Sequence, residues 1–202
     1  MIDVTLFDYG VGNIHSLTKA LEKAGGRPRV TTRADELASA RVLVLPGVGA
    51  FGEGARGLAP VREKVLAALQ DGVPCLGICL GLQLLFRTSE ESPGAEGIGF
   101  VDGEVKRLRG PKLPQIGWNV LAFRDDEPLF RGLVEGTHVY YVNSYAPVPH
   151  EPVTVATTTY GHTFTAAVRK KHTYGVQFHP EKSSKAGLTM LRNFLEFAES
   201  VR

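Results

Sequence analysis

The stretch Pro74-Cys75-Leu76-Gly77-Ile78-Cys79-Leu80-Gly81 decides how the chain is read. From Pro74 to Ile78 it is apolar and uncharged, as a strand covered on both faces must be, and the Leu-rich segment Leu80 to Phe86 reads as a helix. Between strand and helix lies Gly-x-Cys-x-Gly. Glycines two residues either side of a nucleophile let backbone segments close in around a strained turn, which lifts the side chain to the top of a sheet. Cys79 in that position makes a nucleophile elbow with sulfur in place of oxygen. A helix start beside it favours the thiolate, which is the reactive form. The plainer alternative is a buried structural cysteine, and Cys75, inside the strand, fits that alternative better.

Outward from the elbow the pattern alternates. Ile2 to Phe7 reads as a strand, Ile14 to Ala24 as a helix closed by Gly25-Gly26, Arg29 to Thr32 as a second strand and Ala34 to Ala40 as a short helix. Val42 to Leu45 and Pro74 to Ile78 are apolar strands, with an amphipathic helix over Val61 to Leu69 between them. Strand and helix in alternation predict an α/β fold with an open, mostly parallel sheet flanked by helices. After Phe86 the chain becomes β-rich: Glu104-Val105, Val120 to Phe123, Val139 to Val142, Val153 to Val155 and Thr165 to Val168 read as short strands, and Ser183 to Ala198 as a closing helix. A length of 202 residues without a linker or repeat predicts one domain over residues 1–202.

Composition excludes several classes. With 43% hydrophobic and 22% charged residues the chain is an ordinary globular one, and its net charge of +2 gives little attraction to phosphate backbones. No nucleic-acid partner is expected. No stretch is apolar enough to span a membrane, and acidic Asp3 and Asp8 stand where a secretory signal has a basic flank, so a cytoplasmic location is expected. His15, His138, His150, His162 and His172 lack metal-ligand spacing, so no metal and no cofactor are expected.

A cysteine nucleophile needs a base, and the base a group to orient it. Phe178-His179-Pro180-Glu181 follows the strand-like Thr173 to Gln177, placing His179 at a strand end with Glu181 two residues on, within reach of an imidazole nitrogen. The alternative is a surface histidine with Glu181 serving the first turn of the closing helix. Acyl transfer also needs backbone donors for an oxyanion. Leu80 N–H is one, and the turn Pro46-Gly47-Val48-Gly49-Ala50-Phe51-Gly52 can supply another. As a phosphate loop that turn is weak, because it lacks Gly-Lys-Ser/Thr. Trp118, Tyr140, Tyr141 and Tyr145 are either core or an exposed contact surface.

Together Pro46-Gly47-Val48-Gly49, Gly77-Ile78-Cys79-Leu80-Gly81-Leu82-Gln83 and His179-Pro180-Glu181 resemble the class I, triad-type glutamine amidotransferases, along essentially the whole chain and in the same order. The resemblance implies a flavodoxin-like sheet and a Cys79-His179-Glu181 triad that hydrolyses glutamine through a thioester. It further implies an oxyanion loop at Gly47, Val48 and Leu80, and glutamine contacts from Gly49, Gln83, Ser144 and Tyr145. Asp8-Tyr9-Gly10, Ile116-Gly117-Trp118-Asn119 and His-Pro-Glu-Lys-Ser are similar to glutaminase subunits of histidine biosynthesis. Those pass ammonia to a separate (β/α)8-barrel cyclase subunit in a heterodimer. On that resemblance Trp118, Asn119, Tyr140 and Lys182 face the partner. The glutaminase of a different synthase, and a non-catalytic binding module of the same fold, are the alternatives.

Overall fold

The structure, a computed structural model, describes residues 1–201. In chain order it runs β1 (Ile2–Phe7), α1 (Ile14–Lys23), β2 (Gly26–Thr31), α2 (Ala34–Ala38), β3 (Leu43–Leu45), α3 (Phe51–Leu58), α4 (Arg62–Gln70), β4 (Cys75–Ile78) and α5 (Leu80–Gln83). The second half follows with β5 (Thr88–Ser89), β6 (Gly103–Arg107), β7 (Gln115–Val120), β8 (Ala122–Phe123), β9 (His138–Asn143), β10 (Tyr145–Pro149), β11 (Thr154–Tyr160), β12 (His162–Lys170), β13 (Thr173–Val176) and α6 (Ser184–Ser200).

The main sheet has eight strands in the order β2-β1-β3-β4-β13-β12-β11-β8. Its first five are parallel and its last three antiparallel. The mixed α/β architecture with a mostly parallel sheet is therefore as expected. Alternation along β3 and β4 divides the core. Val44, Leu76 and Ile78 pack beneath α1 and α6 with Leu17, Leu21 and Phe194, whereas Leu43, Leu45 and Cys75 pack with Phe51, Leu58 and Val65 on the other face. Continuous apolar strands are what a sheet covered on both sides requires.

Three departures have local causes. Helix α3 was not expected, because Gly52, Gly54 and Gly57 weaken helix propensity. Packing demands two of those glycines: a Cβ at Gly54 would sit 2.8 Å from Leu84 Cδ1, and one at Gly57 would run into Tyr9 C=O. The helix after the elbow is a single turn, Leu80–Gln83, not a run to Phe86. Strands β7 and β10 were not anticipated either. β7 pairs antiparallel with β9 as a ribbon outside the main sheet, and β10 joins β6 and β5 in a small three-stranded one.

Candidate active site

β4 lies between β3 and β13, in parallel register with both (Gly77 opposite Leu45 and Gly175). The carboxyl ends of the three strands therefore emerge side by side, the place where open α/β sheets carry their sites. Pro46–Ala50 leaves β3, Cys79 leaves β4, and Gln177–Glu181 leaves β13.

Cys79 sits at φ 52°, ψ −104°, in the left-handed half of the map that non-glycine residues avoid. Its neighbours explain how the turn closes. A Cβ at Gly77 would lie 2.7 Å from Gly81 C=O, and one at Gly81 would collide with Leu45 C=O, so only glycine fits at either position. The elbow expected from sequence is present. Cys79 is the N-cap of α5, so the helix start expected beside the thiol is there, as a single turn.

His179 Nδ1–H donates to Glu181 Oε1 at 2.8 Å, and the two side chains are 1% and 5% exposed. A carboxylate only accepts, so this contact fixes the tautomer and leaves Nε2 facing away from Glu181. Nε2 is buried and makes no hydrogen bond of regular geometry. Burial opposes a charge on His179, yet the Cys79 thiolate and the Glu181 carboxylate outweigh it and lift the imidazole to about 10. Burial alone pushes the Cys75 thiol upward, consistent with a structural role.

The Cys79 thiol lies 3.9 Å from Val142 C=O and receives Gln177 Nε2–H at 3.5 Å. Both residues escaped the sequence reading. Before them opens a cavity of about 370 Å³, whose lining includes Val48, Gly49, Cys79, Leu80, Gln83, Ser144, Tyr145, His179 and Lys182. Glu91 also lines it, another residue that sequence reasoning passed over. Its Oε2 accepts Phe51 N–H at 2.7 Å, which holds a carboxylate at the cavity wall. Gln83 is buried, and its Nε2 bonds Tyr145 C=O and Gln177 Oε1, both at 3.1 Å.

The loop after β3 has a definite setting. Gly47 C=O accepts Leu80 N–H at 3.4 Å. Because C=O and N–H point oppositely across a trans peptide, the Val48 N–H of the same unit points away from Leu80. Tyr9 Oη donates to Pro46 C=O and pins the loop's entry. At Gly47 a Cβ would stand 2.8 Å from Leu80 Cβ.

Beyond the cavity mouth, Ile116, Trp118 and Val120 are 63%, 53% and 41% exposed, on alternate positions of β7 and so on one face. Trp118 meets Tyr140 edge to face at 5.8 Å, and Lys182 Nζ sits 5.9 Å above the Tyr140 ring. Lys182 thereby joins the cavity to the exposed stripe. Asn119 is on the other face of β7, its amide bonded to Thr159 C=O and Val120 N–H. Among the described residues no group of His, Cys, Asp or Glu is placed to hold a metal, and no helix is long and apolar enough to cross a membrane.

Residues 5–197 match the family described as glutamine amidotransferase class-I. The chain is 45% identical over 193 residues to the imidazole glycerol phosphate synthase subunit HisH of Pyrococcus furiosus, with 95% of this chain and 97% of that one covered. It is 46% identical to the protein of the same name from Moorella thermoacetica, covering 97% and 95%. Among solved structures it is similar to PurLQS of Thermotoga maritima (TM-score 0.80, 20% identity, 97% and 98% covered). A GMP synthase protein of Thermoplasma acidophilum gives a TM-score of 0.79 at 22% identity, with 100% and 96% covered. A strained cysteine elbow, a histidine–glutamate pair on the adjacent strand end and a match along nearly the whole chain have one reading: this protein belongs to the class I glutamine amidotransferases.

Proposed function

We infer that the chain is the glutaminase subunit of an imidazole glycerol phosphate synthase, a single catalytic domain that hydrolyses glutamine and delivers ammonia to a separate cyclase subunit in the cytoplasm. The observation that carries the chemistry is Cys79 on its strained elbow, in one cavity with a His179 that Glu181 orients. The assignment to this synthase is supported by 45–46% identity, over nearly full length, to chains that bear its name.

Glutamine enters with its carboxamide at Cys79. Glu91 is suited to the α-ammonium, and backbone groups of Gly49, Ser144 and Tyr145, with Gln83 Oε1, to the remaining polar atoms. The Cys79 sulfur attacks the amide carbon, and the C=O electrons move onto oxygen. When the tetrahedral adduct collapses, the C–N bond breaks and His179 gives its proton to the departing nitrogen, releasing ammonia and leaving a thioester. His179 then takes a proton from water, which attacks the thioester. Glutamate leaves and the thiolate returns. Glu181 keeps the imidazole in the one tautomer that serves both transfers.

The oxyanion of both adducts needs donors, and Leu80 N–H is the nearest. In this chain that donor is taken by Gly47 C=O. Rotating the Gly47–Val48 peptide would release Leu80 N–H and turn Val48 N–H toward the same point, supplying two donors at once. A glycine on one side makes such a rotation cheap. The free protein is thus held idle, and docking of the cyclase with its nucleotide bound favours the rotated state. The Ile116–Trp118–Val120 stripe and Tyr140 are suited to that partner, with Lys182 and Tyr140 at the point where ammonia would leave the cavity. The test is glutamate release by the chain alone and with its cyclase. Strong stimulation that is absent in Cys79→Ala supports the reading, and stimulation retained in Cys79→Ala removes it.

A further inference from the structure

Gln177 is fully buried one residue beyond β13, with its backbone N–H bonded to Ala166 C=O at 2.8 Å and its side chain directed at the sulfur of Cys79. A buried amide that aimed its oxygen at a thiolate would repel it. A buried amide that aims its nitrogen stabilises it. The hydrogen-bond chain behind Gln177 determines which of these holds.

Tyr145 C=O can only accept, so Gln83 must present its Nε2 there, at 3.1 Å. The same Nε2 carries a second hydrogen, which goes to Gln177 Oε1, also at 3.1 Å. A Gln177 side chain turned the other way would set NH2 against NH2 in a buried site, leaving donors unsatisfied. Its Oε1 therefore faces Gln83 and its Nε2–H faces sulfur. A backbone carbonyl thus dictates, through two glutamine amides, that the nucleophile meets a donor. On the other side of the sulfur, Val142 C=O, 3.9 Å away, is an acceptor suited only to the neutral S–H. Of the two uncharged groups bonded to the sulfur, Val142 C=O suits the thiol and Gln177 Nε2–H the thiolate, which also faces the His179 imidazole paired with Glu181.

We propose that Gln177 is a catalytic residue of this site: its Nε2–H holds the Cys79 thiolate in its reactive charge state and position. The proposal rests on Cys79 being the nucleophile. N–H donors to a sulfur anion are charge-assisted, the stronger class of hydrogen bond, so removal of this one has a measurable effect on ionisation.

The test is alkylation of the full-length chain by iodoacetamide over about pH 5 to 10, read at the Cys79 peptide by mass spectrometry. Deeply buried Cys75 provides the unreactive internal reference. Gln177→Met keeps the length and removes the donor; it is expected to move the midpoint of Cys79 modification upward by about one pH unit, a roughly tenfold loss of rate on the acid side. Gln177→Glu replaces the donor with an anion and is expected to move it further, and it serves if the methionine variant does not fold. In complex with the cyclase, kcat/KM for glutamine falls about tenfold and the acid limb of its pH profile moves upward with the midpoint, a displacement that a purely structural role would not give. An unshifted midpoint in a folded variant overturns the proposal and leaves Cys79 as nucleophile. A wild-type Cys79 that is not modified at any pH overturns both.

Discussion

The Cys79 side chain bonds Val142 C=O and Gln177 at the cavity wall, and alanine there loses the sulfur alone, so the substitution separates chemistry from folding. Cys79→Ala is expected to fold and to bind the cyclase while glutamate release falls by on the order of 10³-fold or more; residual turnover above about a hundredth of wild type contradicts the assignment. His179→Ala comes close to the same loss, and the double variant is scarcely worse than either, because nucleophile and base act as one unit. His179 also ties stability to pH. Its value is lifted in the folded chain to about 10, above that of an unfolded histidine near 6.5. The folded state therefore holds the proton longer, and the stability this contributes is complete below about pH 6.5 and lost as pH rises toward 10. Urea unfolding of wild type against His179→Gln should show the difference shrinking across that window, and a difference growing with pH would contradict it. Cys79, His179 and Glu181 were legible because the elbow and the His-Pro-Glu turn are local patterns. Gln177 and Glu91 were not, since their meaning comes from partners 98 and 40 residues away.

At the level of elements, the loop between β3 and α3 is the proposed switch of the site. Val48→Pro deletes the N–H that the rotated peptide would contribute, so cyclase-stimulated turnover should drop roughly 10²–10³-fold with complex formation retained. Full stimulation of that variant would place the second donor elsewhere. Gly81→Ala drives a methyl into Leu45 C=O and should destabilise the chain by about 3 kcal/mol, the upper range for overpacking, as read by thermal unfolding. The alternation of strands with α1, α2 and α4 as far as β4 was readable from periodicity alone. Helix α3 was not, because its glycines answer to Leu84 and Tyr9 across a tertiary contact and not to helix propensity. Strand β7 was obscured by Gly117 at φ 129° and by an apolar alternation that faces outward.

Across the whole molecule, an exposed apolar stripe lies beside the Cys79 cavity, where Leu80 N–H is taken by Gly47 C=O. Each feature makes sense of the other if a partner covers the stripe and resets the loop. Trp118→Ala should weaken cyclase binding by about 2 kcal/mol, roughly 30-fold in Kd, as buried tryptophans at interface centres do. An unchanged Kd would move the interface off β7. That β13, near the end of the chain, inserts beside β4 to deliver His179 to Cys79 could not be read from periodicity, which is silent on strand order. The proposal that this chain is a glutaminase held idle until its cyclase docks has one decisive experiment: steady-state glutamate production from the isolated chain and from the chain saturated with cyclase and acceptor nucleotide. A rise of at least roughly 10²–10³-fold on docking is expected, the worth of one restored oxyanion donor. An isolated chain that already turns over glutamine as fast as the complex would contradict it.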